Sequence, residues 1–534
     1  MASSDQLLTT PQLVRAAAER FADADALVDD LGDGLVDGGR AASRTIRWSF
    51  RELAGHVEHA GRAFATAGLA PGDRVAIWAP NIHEWVVAAL GAHMAGGVLV
   101  PLNTRFKGAE AADIIGRSRA RVLLCVNEFL GTDYVAALRG ADAKLPHLDH
   151  VVVLRGAAPE GTTSWPDFLA AADGEAPLPE VGPDALSDII FTSGTTGRPK
   201  GVMTTHAQTV RVFIDWSGIV GLTHDDRYLV VNPFFHTFGY KAGIVACLVR
   251  GATIVPQAVF DVPAVLRRVA AERITMLPGP PTLYLMILDH PDRHAVDLSS
   301  LRLAVTGAAA VPVEMIRRMR EELTFRTIVT GYGLTESTGT VTMCRPDDSP
   351  ETISTTSGRA IHDVEVRVVD DANREVSRGT PGEVVCRGYN VMLGYFEDPE
   401  ATAAAIDPDG WLHTGDVGVM DEHGNIRITD RKKDMFIVGG FNAYPAEIEN
   451  TLLGHPGVAQ VAVVGVPDER LGEVGHAFVV PRSGHALDAE ALLAWARQRL
   501  ANYKVPRAVH VVDALPTNAS GKVLKFELRG RARR

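Results

Sequence analysis

The sequence predicts an α/β protein built on parallel sheets, with a smaller second body at its C-terminal end. Three observations carry this. Apolar runs of strand length (VAIWA, VLLCV, HVVVL, DIIF, YLVVN, ATIVP, ITMLPG and LRLAVTG) recur between Val75 and Gly307, with helical patterns between several of them. Such alternation argues for βα units. After about Arg359 the pattern changes to short β runs, VEVRVVD, GEVVCRG and GVMDEHGNIRIT, which predict a small β-rich subdomain. Past Asp430 come AEIENTLL, VAQVAVVGV, HAFVV, EALLAWARQRL and AVHVVD. This compact mixed pattern of roughly 100 residues is large enough for a domain of its own. The charged junction DRKKD before it offers a hinge.

The individual elements have local causes. Ser49-Phe50-Arg51-Glu52 is a capping box, in which serine and glutamate side chains satisfy the first free amides of a helix. Leu53, Val57, Ala60, Phe64 and Ala67 follow at helical spacing. Pro71-Gly72-Asp73 ends that pattern, and Val75 to Ala79 reads as a strand. Pro263 to Glu272 and Val313 to Leu323 read as amphipathic helices. Gly156 to Pro183 is rich in Gly, Ala and Pro but holds an apolar patch at Trp165 to Leu169, which predicts a surface excursion. Trp85 to Thr104 lacks charged residues and has about the length of a membrane span. Gly96-Gly97 and Pro101 interrupt it, so a buried helix followed by a core strand is expected instead.

Composition narrows the function classes. The chain has 534 residues, 46% apolar and 22% charged, with a formal net charge of −12. That balance excludes a sequence-independent electrostatic grip on nucleic acid, but not a local cationic pocket for a phosphorylated small molecule. The start MASSDQLLTT lacks the pattern of a signal peptide. The cysteines Cys125, Cys247, Cys344 and Cys386 are too far apart in sequence for a zinc knuckle. A reducing, cytoplasmic location is expected.

Five motifs carry chemistry. Thr192-Ser193-Gly194-Thr195-Thr196-Gly197-Arg198-Pro199-Lys200-Gly201 follows the apolar run DIIF. Its glycines allow close backbone approach, and its hydroxyls and amides suit phosphate oxygens. Lys200 adds a positive charge. Pro199 stands where a Walker A loop needs glycine. Gly331-Tyr332-Gly333-Leu334-Thr335-Glu336 can offer a ring face to a base, a hydroxyl to a phosphate and a carboxylate to a hard cation. Gly410 to Asp416 ends on a carboxylate suited to ribose hydroxyls. Asp430-Arg431-Lys432-Lys433-Asp434 precedes Gly439-Gly440. Asn518-Ala519-Ser520-Gly521-Lys522 lies near the C-terminus.

In this order, these motifs closely resemble the adenylate-forming superfamily of acyl-CoA synthetases, luciferases and peptide-synthetase adenylation domains. The resemblance runs from DRVAIWAPN to SGKVLK. It implies a large N-terminal adenylating domain, residues 1–430, of two α/β subdomains plus a small β-barrel-like subdomain. A small mobile α+β domain, residues 431–534, would follow. Residues 192–197 and Lys200 would hold the ATP β,γ-phosphates. Gly307-Ala308-Ala309 and Gly331-Tyr332-Gly333 would flank adenine. Thr335 would contact the α-phosphate, Glu336 would bind Mg²⁺, and Asp416 and Arg431 would hold ribose. Lys433 matches the hinge, Gly439-Gly440 the pantetheine tunnel of CoA, and Lys522 the adenylation lysine.

The segment Pro233 to Lys241 resembles one wall of the family's acyl site. It implies a role for His236 where carboxylate and thiol meet, and an acyl pocket lined by Phe234, Phe238, Tyr240 and Lys241. A lysine there suits an acid with polar oxygens; pairing with a protein carboxylate and a surface position are the alternatives. FFHTFGYKAGI, LPGPPTLY, AVTGAAAVP, MCRPDD and GGFNAYPAE are similar to the actinobacterial ligases of sterol degradation. That similarity implies a bulky alicyclic propionate, the 7a-methyl-1,5-dioxo-octahydroindenyl propanoate, as substrate. Competing expectations are a medium-chain fatty or aromatic acid CoA ligase, an acyl-AMP ligase loading a carrier protein, and an inactive nucleotide-binding sensor. Expected partners are a carboxylic acid, ATP and CoA. No nucleic acid or integral membrane association is expected, and a homodimer is compatible with the sequence.

Overall fold

The computed structural model describes residues 8–30, 45–192, 199–307, 311–431, 434–438, 441–468, 470–485, 487–500, 502–517 and 523–532. The chain divides into two compact units: Met1–Glu365 with Cys386–Leu412, and Val366–Val385 with His413–Arg534.

The first unit holds two large sheets. One has eight strands, in the order Gly394–Tyr395, Lys200–Thr205, Leu186–Thr192, Val98–Pro101, Arg74–Trp78, Ala120–Val126, His150–Arg155, Thr163–Ser164. Its middle is parallel, as the βα alternation predicts. Its far end turns antiparallel where Leu186–Thr192 and Lys200–Thr205 form a hairpin. The second sheet joins Thr45–Ser49, Asp25–Asp30, Thr253–Pro256 and Arg227–Val230. A single bridging residue, Met276, links Tyr228 to Leu303 and so carries this sheet on to the strands Leu303–Thr306 and Thr327–Tyr332. The run ITMLPG is therefore a single bridge residue with backbone hydrogen bonds to both neighbours, the Leu229 amide donating to Met276 and the Leu277 and Gly279 amides to Leu303 and Val305.

Other elements match their sequence causes. Ser49 and Glu52 cap the Phe50–Thr66 helix reciprocally. The charge-free run folds as a helix, His83–Met94, buried on all sides, and a buried strand, Val98–Pro101. Among the described residues no helix is long and apolar enough to cross a membrane. The Gly156–Pro183 excursion anchors itself through the Trp165–Ala170 helix, whose buried Phe168 packs edge-on to Phe64 at 5.2 Å.

The four-stranded sheet of Val364–Val369, Gly382–Gly388, Leu412–Met420 and Ile426–Arg431 has most of its residues in the second unit. That unit also contains a five-stranded sheet whose longest ladder pairs Val458–Asp468 with Gly472–Pro481. The helices Pro445–Leu453 and Ala489–Arg497 cover it through Ile448, Leu452, Leu492 and Ala496.

Candidate active site

Two strand ends bring the glycine motifs together. Leu303–Thr306 and Thr327–Tyr332 run parallel, with Thr306 opposite Thr330, so Gly307 and Gly331 emerge side by side. A Cβ on Gly307 would stand 3.1 Å from the Gly331 carbonyl oxygen, and Gly307 itself adopts φ 155°. Gly333 is more constrained, since a Cβ there would lie 2.3 Å from the Gly339 carbonyl oxygen. Tyr332, between them, is half-buried. This close packing sets up the short 3₁₀ turn Thr335–Ser337, where the Leu334 amide donates to Ser337 Oγ at 2.9 Å.

Glu336 sits on that turn. Tyr395 donates its phenolic proton to Glu336 Oε1 at 3.0 Å, and Thr192 Oγ1 donates to the same oxygen at 3.4 Å. Burial, and then the adjacent Glu336 carboxylate, push the Tyr395 phenol well above its ordinary pKa. It therefore remains a donor. Lys200 Nζ lies 4.9 Å from the centre of the Tyr395 ring, within cation–π range. Thr192 and Lys200 are direct partners across the antiparallel hairpin, and Tyr395 pairs with Val202 on the same strand as Lys200. The sheet edge thus collects Thr192, Lys200 and Tyr395 around Glu336. Both hydrogen bonds that Glu336 accepts from described side chains go to Oε1. Oε2 is the oxygen that could hold a hard cation.

The segment Pro233 to Lys241 packs against the same turn. Gly339, at φ 101°, lets Thr237 come so near that a Cβ there would be 2.4 Å from Thr237 Cγ2. Next to Thr237, His236 Nδ1 accepts the Phe238 amide at 3.2 Å, which leaves the proton of the neutral ring on Nε2. His236 is solvent-reachable yet set among protein atoms, which lower its pKa. After it the chain forms a π-helix, Tyr240–Val245, a rare geometry often found at functional sites.

The structure decides between the alternatives left open for Lys241, in favour of pairing with a protein carboxylate. Lys241 is not a free cation in an acyl pocket: it is 1% exposed, with Nζ 2.9 Å from Asp188 Oδ1 and 2.8 Å from Thr204 Oγ1. An unpaired ammonium could not be buried so deeply. Phe234 and Tyr240 are fully buried, with ring centres 5.1 and 5.8 Å from that of Trp85. Phe238 remains half-exposed and meets Trp216 edge-on at 6.2 Å.

In the second unit Asp416 and Arg431 are direct partners across two consecutive strands, so two neighbouring motifs share one ladder position. Asp416 is 3% exposed. Ser193, Gly194, Thr195, Thr196, Gly197, Ala308, Ala309, Lys433, Gly439, Gly440 and Lys522 lie outside the described residues.

Sequence reasoning missed two partners. Tyr395 gave no local signal, because its two-residue strand reaches Glu336 only through the sheet. Asp188 did give one: a carboxylate opening an apolar strand requires a buried cation, and Lys241 opens an apolar helix. A separate cluster of ligand-type groups, Asp29, His83 and Glu84, is engaged by Arg155, which donates to Glu84 at 2.9 Å and to Asp29 at 3.1 Å.

Comparison with known proteins fits this geometry. The family model described as AMP-binding enzyme matches residues 14–396, and that of the AMP-binding enzyme C-terminal domain matches residues 447–522. The chain belongs to the AMP-binding enzyme family. It is 51% identical to the 3-[(3aS,4S,7aS)-7a-methyl-1,5-dioxo-octahydro-1H-inden-4-yl]propanoyl:CoA ligase of Rhodococcus jostii, over 98% of this chain and 99% of that protein. To the Mycobacterium tuberculosis protein of the same name it is 52% identical, over 94% and 98%. Among solved structures, the anthranilate CoA ligase AuaEII in complex with anthranoyl-AMP matches with a TM-score of 0.86 at 28% identity, covering 100% of this chain and 99% of the other.

Proposed function

We propose that the protein is an ATP-dependent, AMP-forming acid–CoA ligase whose substrate is the indane propionate named for its relatives. The single observation that carries the substrate is the 51–52% identity, over nearly the whole chain, to two ligases bearing that name. The buried Lys241–Asp188 pair takes away the cation first expected to meet the ketone oxygens, so recognition of the acid rests on other groups.

The chemistry follows from the groups present. A carboxylate is a poor acyl donor because its leaving group would be oxide. Attack of its oxygen on the ATP α-phosphorus expels pyrophosphate and turns that oxygen into part of AMP, a good leaving group. Two anions must approach each other, so cationic groups have to act in the transition state. Glu336, oriented by Tyr395 and Thr192, would hold Mg²⁺, which supplies charge neutralisation at the phosphates. Lys200 and residues 192–197 would hold the terminal phosphates. Gly307-Ala308-Ala309 and Gly331-Tyr332-Gly333 would flank the base, Thr335 would meet the α-phosphate, and Asp416 with Arg431 would hold ribose. His236 would stand where carboxylate and thiol meet, beside Phe238.

In the second step the CoA thiol attacks the acyl carbonyl and AMP leaves. The proposed division is an adenylating part, residues 1–430, and a mobile part, residues 431–534. Lys433 would be the hinge, Lys522 would serve the first step, and Gly439-Gly440 would line the thiol path. The reading includes a cytoplasmic location, which the four free, buried cysteines suit.

A panel of acids with ATP and CoA, followed by AMP release, tests the substrate. The indane propionate should give the highest kcat/KM. A higher value for octanoate or benzoate would overturn it.

A further inference from the structure

The buried ion pair deserves an account of its own, because burying charge seldom adds stability. Well-packed apolar side chains of similar size often do as well or better. What such a pair supplies is direction: each charge-assisted hydrogen bond fixes an angle as well as a distance.

Three segments converge on it. Asp188 lies on the strand Leu186–Thr192, which precedes residues 193–198 in sequence, and Thr204 lies on the strand Lys200–Thr205, which follows them. The two residues are partners in the hairpin, and Thr204 Oγ1 donates to Asp188 Oδ1 at 2.8 Å. Lys241, on the π-helix behind His236, reaches Asp188 Oδ1 at 2.9 Å and Thr204 Oγ1 at 2.8 Å. Ser187 Oγ occupies the other carboxylate oxygen at 2.6 Å. The carboxylate thus has partners on both oxygens, and the ammonium grips both strands of the hairpin.

The same strand reaches the other half of the site. The hairpin register is regular from Asp188 to Thr192, and side chains alternate along a strand. Asp188 and Thr192 therefore share a face. One holds Lys241, and the other donates to Glu336.

We infer that Lys241, acting through Asp188 and Thr204, is a positioning residue for adenylation. It locks the π-helical segment behind His236 to the hairpin that flanks the phosphate-binding sequence, and so fixes the distance between the acid side and the phosphate side. The inference rests on the roles proposed above for His236 and residues 192–200.

The test is acid-dependent ATP–pyrophosphate exchange by the full-length protein. The double variant Lys241→Met/Asp188→Asn removes both charges and strands neither. It should stay folded and lose roughly 10- to 100-fold in exchange kcat, the scale of a misplacement near 1 Å, with KM for ATP and acid little changed. A folded double variant with wild-type kcat overturns the inference. If the double variant does not fold, Thr204→Val decides, because it deletes one hydroxyl and keeps the ion pair. A several-fold lower kcat at unchanged KM supports the inference, and wild-type kcat overturns it. An inactive wild-type protein would instead overturn the proposed function, and the positioning role with it.

Discussion

Tyr395 and Glu336 are 59 residues apart in sequence and share a 3.0 Å hydrogen bond. The phenol stays protonated and the carboxylate accepts, so the bond orients the side chain assigned to Mg²⁺. Replacing Tyr395 with Phe removes the donor and keeps the ring beneath Lys200. Hydrogen bonds to charged groups contribute about 1.5–3 kcal/mol. Tyr395→Phe is therefore expected to lower exchange kcat by roughly tenfold and to raise the Mg²⁺ concentration needed for half-maximal rate. A Mg²⁺ titration at saturating ATP checks this; an unchanged half-saturation point would refute the orienting role.

Lys522 is assigned to the first half-reaction alone. Lys522→Ala should abolish acyl-AMP formation and leave thioester formation from supplied acyl-AMP nearly intact. Single-turnover assays of the two halves separate the outcomes. Equal loss of both would contradict the division of labour between the two parts of the chain.

Acid stability has a specific source in His93. The residue is fully buried, donates Nε2–H to the Ser187 carbonyl at 2.8 Å, and burial lowers its pKa to about 4 from an ordinary 6.5. The folded protein keeps the ring neutral, whereas the unfolded chain takes up a proton near pH 6.5. The unfolded state therefore binds more protons between these values. Stability is complete above about pH 6.5 and falls as the pH drops toward 4, by about 3 kcal/mol at most from this group. Urea midpoints measured between pH 7 and 4.5 should fall steeply for wild type and less steeply for His93→Gln. Parallel slopes would rule out His93 as the source.

Much of the fold was legible because local rules and tertiary packing agree. The Ser49–Glu52 box, the all-buried helix after Ile82 and the Leu186–Thr192 strand needed only patterning and capping. ITMLPG lies between two strands as its hydrophobicity suggests, but it bridges them through Met276 alone. The candidate site was legible as geometry where one contiguous motif forms a turn, as at Gly331 to Glu336. It was not where function depends on long-range pairing. Nothing near Tyr395 signals Glu336. For Lys241 the sequence left a pocket cation and a carboxylate-paired lysine both open, because the partner Asp188 lies on another strand, although its place in an apolar run carried the complementary clue.

The two-residue strand Gly394–Tyr395 closes the exposed edge of the hairpin strand Lys200–Thr205. During synthesis that closure comes late. A nascent chain that has emerged only as far as Asn390 already contains the hairpin, but its outer edge has no strand to pair with, and open edges are sites of aberrant strand addition. The hydrogen bond from Tyr395 to Glu336 is thus completed by one of the last segments of the first unit to leave the ribosome.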